Sequence, residues 1–297
     1  MFRFYGQRAP TGAVIDPVRP RTANDRFFWR KLFDRNPDFP IVSDKLAVRH
    51  WLTDHGIDVA TPRVLWCGTN ARTIPDEVWS ADAVLKPNHA AGMVDFLPVA
   101  PPDRDSIARR ANNYLDVDHH LKGGQWGYKD IPRRLFVEHR LPADACGLTE
   151  IKLYTFGARI VNARFIYNRA GPGRRDDTFR MTDKGHLVRI GNDDATKKAP
   201  AGRPPHPVLP SAIRVAEQIG RHFDHVRVDF YVSDDTLYLG ELTLYTHAGC
   251  LPDSGWDPDH PMASTWDLRD SWFLRTRQTG WRELYRRALC RWLDRVS

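Results

Sequence analysis

RVDFYVSDDTLYLGELTLYTHAG, residues 227–249, holds two alternating apolar runs separated by the polar stretch SDDT. A period of two marks each run as a β-strand, and the polar break marks a hairpin. Each run also carries an acid, Asp229 in the first and Glu241 in the second. A carboxylate within a strand that otherwise buries Val, Phe and Leu needs something to face. In the first arm Arg227, Asp229 and Tyr231 share one face; in the second, Leu237, Leu239, Glu241 and Thr243 share one. Whether those faces coincide depends on the turn. A two-residue turn at Asp234–Asp235 pairs Val228 with Glu241 and sends the acids to opposite sides. A three-residue turn pairs Asp229 with Glu241 and sets Arg227 opposite Thr243. Two bare carboxylates face to face repel, and a divalent cation removes the conflict; hard oxygen ligands suit Mg²⁺ or Mn²⁺. The plainer alternative is that Asp229 pairs with Arg227 and Glu241 points to solvent.

The rest of the chain reads as short strands and helices linked by hairpins. VSDKLAVRHWLTDHGID is a helix with Ser43 as N-cap and Gly56 as stop, TPRVLWCG a strand, and ADAVLKPNHAAGM a strand running into a small-residue loop. APPDRDSIARRANNYLDVDHHLKGG is a helix capped by Asp105 or Ser106 and ended by Gly123–Gly124. RRLFVEHRL is a strand, LTEIKLYTFGARIVNARFIYNR a hairpin turning at Gly157, and PSAIRVAEQIGRHF a helix. A short helix is expected near Phe27–Phe33, and a long Pro- and Gly-rich loop over residues 171–210. The last helix puts Trp281, Leu284, Tyr285, Leu289, Trp292 and Leu293 on one apolar face. Hairpins in place of crossovers give an α+β class with antiparallel sheets.

Bulk properties bound the function loosely. The 297 residues carry a net charge of +7, so the surface prefers anions: nucleotide, nucleic acid, acidic polymer or anionic lipid. No aromatic nucleic-acid-binding motif or helix-turn-helix stands out, so nucleic acid is not favoured as a partner. No apolar run reaches the ~20 residues of a membrane span, and the N-terminus MFRFYGQRAP lacks a signal-peptide core. Cys67, Cys146, Cys250 and Cys290 form no CxxC pair, which suits a reducing cytoplasm. The acidic loop DSGWDPDHP (253–261) reads as solvated, and His119–His120 as lying near a helix end.

Five pieces stand in a telling order: SDKLAVRHWLTDHGIDVATP, AVLKPNHAAGM, LFVEHRL, LTEIKLYTFGARI and RVDFY…LYLGELT. This order resembles the ATP-grasp superfamily, and QWGYKDIPRRLFVEHRL with GELTLY is similar to its TupA-like branch. The resemblance runs from about Ser43 to Gly249. It implies an ATP-grasp fold in which two antiparallel β-sheets with flanking helices hold ATP between them. The expected divisions are an N-terminal arm and helix (1–75), a small ATP-binding lid (76–141) and a C-terminal part with the metal site (142–297). Only some forty residues precede SDK, so the N-terminal domain common in the superfamily is reduced.

The resemblance also assigns roles. Lys45 and Lys86 reach the nucleotide phosphates, and HAAGM is the phosphate-covering loop with His89 and Gly92. Glu138 and the backbone around Leu141 read adenine. Glu150 binds ribose hydroxyls, and Lys152 faces phosphate or substrate. Asp229, Glu241 and Thr243 hold Mg²⁺ (or Mn²⁺), with Thr243 where relatives often have Asn. Arg227, with Lys152, stabilises charge on the transferred phosphoryl group. The chemistry implied is a carboxylate–amine ligase working through an acyl phosphate, on a carboxylate substrate and an amine acceptor (an acidic polymer or glycan precursor among them), in cell-surface polymer or specialised-metabolite assembly. Its rivals are a phosphotransferase using a hydroxyl acceptor and an anionic-polymer binder. After GELT this chain has Thr246–His247 where the branch tends to have Pro.

Overall fold

In the computed structural model the hairpin forms as two eight-residue strands, Val226–Ser233 and Thr236–Thr243. The structure describes residues 10, 12–143, 147–168, 174–182, 184–191 and 206–296. In chain order its strands are β1 (Val64–Gly68), β2 (Ala83–Pro87), β3 (Asp95–Phe96), β4 (Leu135–His139), β5 (Thr149–Phe156), β6 (Arg159–Tyr167), β7 (Arg175–Met181), β8 (Leu187–Gly191), β9 (Val226–Ser233) and β10 (Thr236–Thr243). Its longer helices are α1 (Ala23–Phe33), α2 (Ala47–Asp54), α3 (Pro101–Tyr114), α4 (Leu209–Gly220) and α5 (Gly280–Val296). The strands make a four-stranded sheet, ordered β1-β4-β2-β3, and a six-stranded sheet, ordered β10-β9-β5-β6-β7-β8. Every ladder in both is antiparallel. The small sheet thus draws β1 from the segment read as preceding the lid.

Each sheet buries its own core. Ile151, Leu153, Ala163, Phe165, Val228, Phe230 and Leu242 line one face of the large sheet and pack with Ala212, Ala216 and Ile219 of α4. Leu85, Leu135 and Val137 of the small sheet pack with Ile74, Trp79, Ala108 and Ala111. The other face of the large sheet is left for polar side chains. Helix α1 opens with a capping box: Thr22 Oγ1 accepts from the Asp25 amide, and Asp25 accepts from the Thr22 amide. It drives Phe27, Phe28 and Trp29 inward with no exposed surface.

The hairpin settles the turn question in a way neither option anticipated. The turn has two residues, Asp234 and Asp235, both at positive φ (47° and 56°), the geometry that matches strand twist. That register alone would part the acids. A bulge between Leu239 and Glu241 then shifts it by one, so Asp229 pairs with Glu241 and Arg227 with Thr243. Gly240 occupies the bulge; a Cβ there would stand 2.7 Å from the Tyr231 ring and 3.1 Å from the Asp229 carbonyl oxygen.

Other expectations change. Two strands, β7 and β8, lie within the span read as one long loop, because RDDTFRM hides its acids in ion pairs and so shows no apolar alternation. Residues 171–173, 183 and 192–205 of that span lie outside the described residues. Helix α3 starts at Pro101 with Ala100 as N-cap, not at Asp105 or Ser106, and ends at Tyr114, short of Gly123–Gly124. Ser43 closes a short helix, Asp38–Ser43, instead of capping α2. On α5, Leu289 and Leu293 are buried, whereas Trp281 and Leu284 are exposed.

Candidate active site

The polar face of the large sheet gathers the expected residues in register. Asp229 lies between Glu241 on β10 and Lys152 on β5, and Arg227 lies between Thr243 and Tyr154. Asp229 is 1% exposed. Arg227 donates to it through Nε (to Oδ1) and Nη2 (to Oδ2), both at 2.6 Å, the paired geometry a planar guanidinium favours. Lys152 Nζ donates to the same Oδ2 and, at 2.7 Å, to Glu150 Oε1. Arg227 Nη2 also donates to Thr243 Oγ1 at 3.0 Å. Burial pulls the Asp229 carboxyl upward, but the Arg227 and Lys152 charges outweigh it and hold it below the usual carboxylate range. The same pairing overcomes burial at Arg227 and raises its guanidinium further.

Glu241 is held differently. Its side chain is 32% exposed, with Arg227 Nη2 at 3.8 Å and Lys45 Nζ at 4.0 Å. The plainer reading therefore holds for Asp229, which does pair with Arg227, while Glu241 is the oxygen donor with open space around it. Two carboxylates and a hydroxyl on one face fit a hard cation that completes its shell with water and phosphate oxygens. Among the described residues no group of three or more His, Cys, Asp or Glu is gathered as a metal cluster.

The lysines come from the other side. Lys45 precedes α2; its Nζ donates to Ala90 O at 2.7 Å, which ties it to the HAAGM loop. Burial lowers its pKa, and Glu241 restores part of the loss. Lys86 on β2 is ion-paired with Glu138 on β4, and its Nζ lies 5.3 Å from the Phe136 ring centroid. Arg49 of α2 donates to the second Glu138 oxygen at 2.9 Å. Glu138 thus holds two cations, one of them a lysine expected at the phosphates. Leu141 follows β4, half-buried. In the loop Gly92 is exposed at φ +79°, and a Cβ there would meet nothing within 4 Å, so its freedom is conformational. His89 is 1% exposed; its Nε2 meets Val117 O at 3.2 Å and its Nδ1 is buried without a partner. Burial and then the Arg133 charge lower its pKa.

Three neighbours escaped the sequence. Arg49 sits on the helix that follows SDK and gave no signal beyond its charge. Tyr128 lies in QWGYKD, where the pattern offered no chemistry; the His119 ring meets it edge-on at 4.8 Å. Burial and the Glu241 charge raise the Tyr128 phenol, and burial with Lys45 lowers His119 to about 4. His119 opens the short helical turn His119–Leu121, at a helix end as expected, with its ring against Tyr128.

Two antiparallel sheets, with Lys45 and Lys86 on one side and the paired acid–guanidinium row of the large sheet on the other, have the architecture of the ATP-grasp type. A model of the TupA-like ATP-grasp family matches residues 25–257, and the chain belongs to that family. A search of curated proteins finds no match. Among solved structures, D-alanine–D-alanine ligase from Bacillus anthracis shares 15% identity, with 86% of this chain and 68% of that one covered at a TM-score of 0.42. The Helicobacter pylori D-alanine–D-alanine ligase shares 12%, with 82% and 69% covered at 0.46. Phosphoribosylamine–glycine ligase from Thermotoga maritima shares 11%, with 76% and 54% covered at 0.43. This chain thus spans between 54% and 69% of those three proteins' lengths, and the family match carries the assignment. No helix among the described residues is long and apolar enough to cross a membrane.

Proposed function

We propose that the protein is an ATP- and Mg²⁺-dependent carboxylate–amine ligase. The observation that supports this best is the bulge-made pairing of Asp229 with Glu241, beside an Arg227 whose position Asp229 fixes. The substrate carboxylate attacks the γ-phosphorus, giving an acyl phosphate and ADP; an amine then attacks the acyl carbon and releases phosphate, leaving an amide. Lys45 and Lys86 bind the phosphates from the small-sheet side as compact charges. Arg227 uses Nε and Nη2 within the protein, which leaves Nη1 for the transferring phosphoryl group. Preorganised in this way, it needs no rearrangement as charge develops. Lys152 keeps Asp229 and Glu150 in place on the cleft floor, and Glu150 is the acid for the ribose hydroxyls. Glu241, Asp229 and Thr243 are the residues that hold Mg²⁺, which when bound neutralises charge on the phosphate oxygens. The reactants are a carboxylic acid and an amine acceptor, with an acidic polymer or glycan precursor among them.

The test is a thermal-shift titration with ATP and Mg²⁺ on wild type and Glu241→Ala. Wild type gains melting temperature and the variant does not; equal behaviour of the two rules out this site. An ADP-release screen over carboxylates follows. Release that needs both acid and amine marks a ligase, and release with a hydroxyl acceptor alone marks a phosphotransferase.

A further inference from the structure

Helix α5 turns two unlike faces to its surroundings. Leu289 and Leu293 are its buried residues. At about 100° per residue, Trp281, Leu284, Ala288, Arg291 and Arg295 fall on the opposite side. Trp281 is 63% exposed and Leu284 71%. The N-terminal arm runs beside them: the Tyr285 hydroxyl donates to the Pro17 carbonyl at 3.0 Å and meets the Val18 carbonyl at 3.3 Å. Asp16 accepts from the Val18 and Arg19 amides and so fixes the arm, with Val18 57% exposed. Single exposed apolar residues are ordinary, but three drawn together from two segments mark a contact surface.

Charge selects the occupant. The helix carries five arginines and two acids, Glu283 and Asp294. Both acids are taken, Glu283 by Arg286 and Arg287 and Asp294 by Arg269. Arg291 and Arg295 are therefore left without an ion pair among the described residues, and exposed Arg19 and Arg21 add charge of the same sign from the arm. A second copy of this chain would bring the positive patch against its own like. A soluble polyanion would satisfy the arginines but leave the indole and the leucine in water. An anionic bilayer surface takes both, because headgroups meet guanidiniums while the interfacial layer accepts Trp and Leu.

We propose that α5 and the arm around Val18 form a docking surface for an anionic lipid bilayer. Trp281, Leu284 and Val18 enter the headgroup layer, and Arg291 and Arg295 meet lipid phosphates. The apolar area is small, so attachment is reversible and needs the two contributions together. The surface shares no residue with the cleft, and the inference stands apart from the ligase reading.

The experiment is co-sedimentation of the full chain with sucrose-loaded vesicles, of phosphatidylcholine alone or of two parts phosphatidylcholine to one part phosphatidylglycerol. The wild-type chain pellets with the mixed vesicles at low salt and stays in solution with the neutral ones. Replacing both Arg291 and Arg295 with Gln weakens the partition about 5-fold for each charge removed. Leu284→Ser weakens it about 10-fold. These variants lie at exposed positions and keep the melting temperature and the ATP–Mg²⁺ thermal shift of wild type. No pelleting with either vesicle, equal pelleting with both, or binding that survives Leu284→Ser each overturn the proposal. Displacement from the vesicles by soluble polyglutamate at matched charge assigns the surface to an acidic polymer instead. A dimer in sedimentation velocity that Leu284→Ser dissociates assigns it to a second copy, and either result ends the lipid reading. A variant that loses the thermal shift acts through the fold, and this too overturns the proposal.

Discussion

Replacing Lys152 with methionine probes the floor of the cleft directly. Lys152 is 8% exposed, and its Nζ bonds both Glu150 and Asp229, themselves 1% exposed. Methionine fills a similar volume but takes the positive charge from between two buried acids. Removing one partner of a buried, hydrogen-bonded ion pair costs about 3–5 kcal/mol, because the remaining charge stays desolvated. At roughly 2 °C per kcal/mol for a chain this long, the melting temperature falls by about 6–10 °C. Differential scanning calorimetry at pH 7.5 in EDTA reads the loss. Lys152→Arg, which keeps the charge, loses less. Added Mg²⁺ returns more of the melting temperature to Lys152→Met than it adds to wild type, because a cation at Asp229 and Glu241 replaces the missing one. A loss under about 1 kcal/mol would show that these acids are screened by solvent, and the account of a rigid charged floor would fail.

Three further outcomes follow from the same geometry. Burial, and then the nearby Asp224, raise the Asp34 carboxyl to about 7, against the pull of Arg30 and of the Phe273 amide it accepts from. The unfolded chain releases this proton near pH 4 and the folded chain near pH 7, so wild type loses stability as pH rises through that window, by about 4 kcal/mol at most. Asp34→Asn, still able to accept from Phe273, removes this contribution; its melting temperature exceeds that of wild type at pH 8, and the gap closes toward pH 4. Parallel melting curves for the two across that range refute the assignment. Gly240→Ala forces a methyl against Tyr231 and the Asp229 carbonyl; it costs about 1–3 kcal/mol in urea denaturation and weakens ATP–Mg²⁺ binding. Glu138→Gln frees Lys86 from its competing anion, so ATP–Mg²⁺ binds more tightly in calorimetry; weaker binding would show that Glu138 itself touches the nucleotide.

Much of the site was legible because its strands alternate cleanly. AVLKP, TEIKLYTF and RVDFYVS each show period two, so Lys86, Glu150, Lys152, Arg227 and Asp229 could be placed on faces from the sequence alone. The bulge was not legible: glycine in GEL is an ordinary residue until its neighbour, the Tyr231 ring, is known to need that space. Strands β7 and β8 were hidden for a different reason. Asp176 and Asp177 are buried by arginines from β6, β8 and the strand's own start, so the strand reads as polar although its acids lie inside. Alternation of hydrophobicity reports burial only when burial is apolar. Tyr128 and His119 approach the cleft through short helical turns, which carry no periodic signal.

The way the charges are grouped decides what nucleotide binding has to disturb. Glu150, Lys152, Arg227 and Asp229 form a buried set of two anions and two cations bonded at short range. Opening that set costs several kcal/mol. Lys45 and Glu241 are 4.0 Å apart, and Glu241 is about a third exposed, so their attraction is worth at most about 1 kcal/mol. Lys86 shares Glu138 with Arg49, which can hold the acid when the lysine leaves. On the proposed reading a polyphosphate takes its cations from this outer group, and the inner group stays intact. On that reading Glu241 exchanges an ammonium for the nucleotide's metal, whereas Asp229 never releases Arg227. The transfer arginine is then aimed before the nucleotide arrives, and the movement that binding requires is confined to two lysine side chains and the loop that Lys45 holds through Ala90.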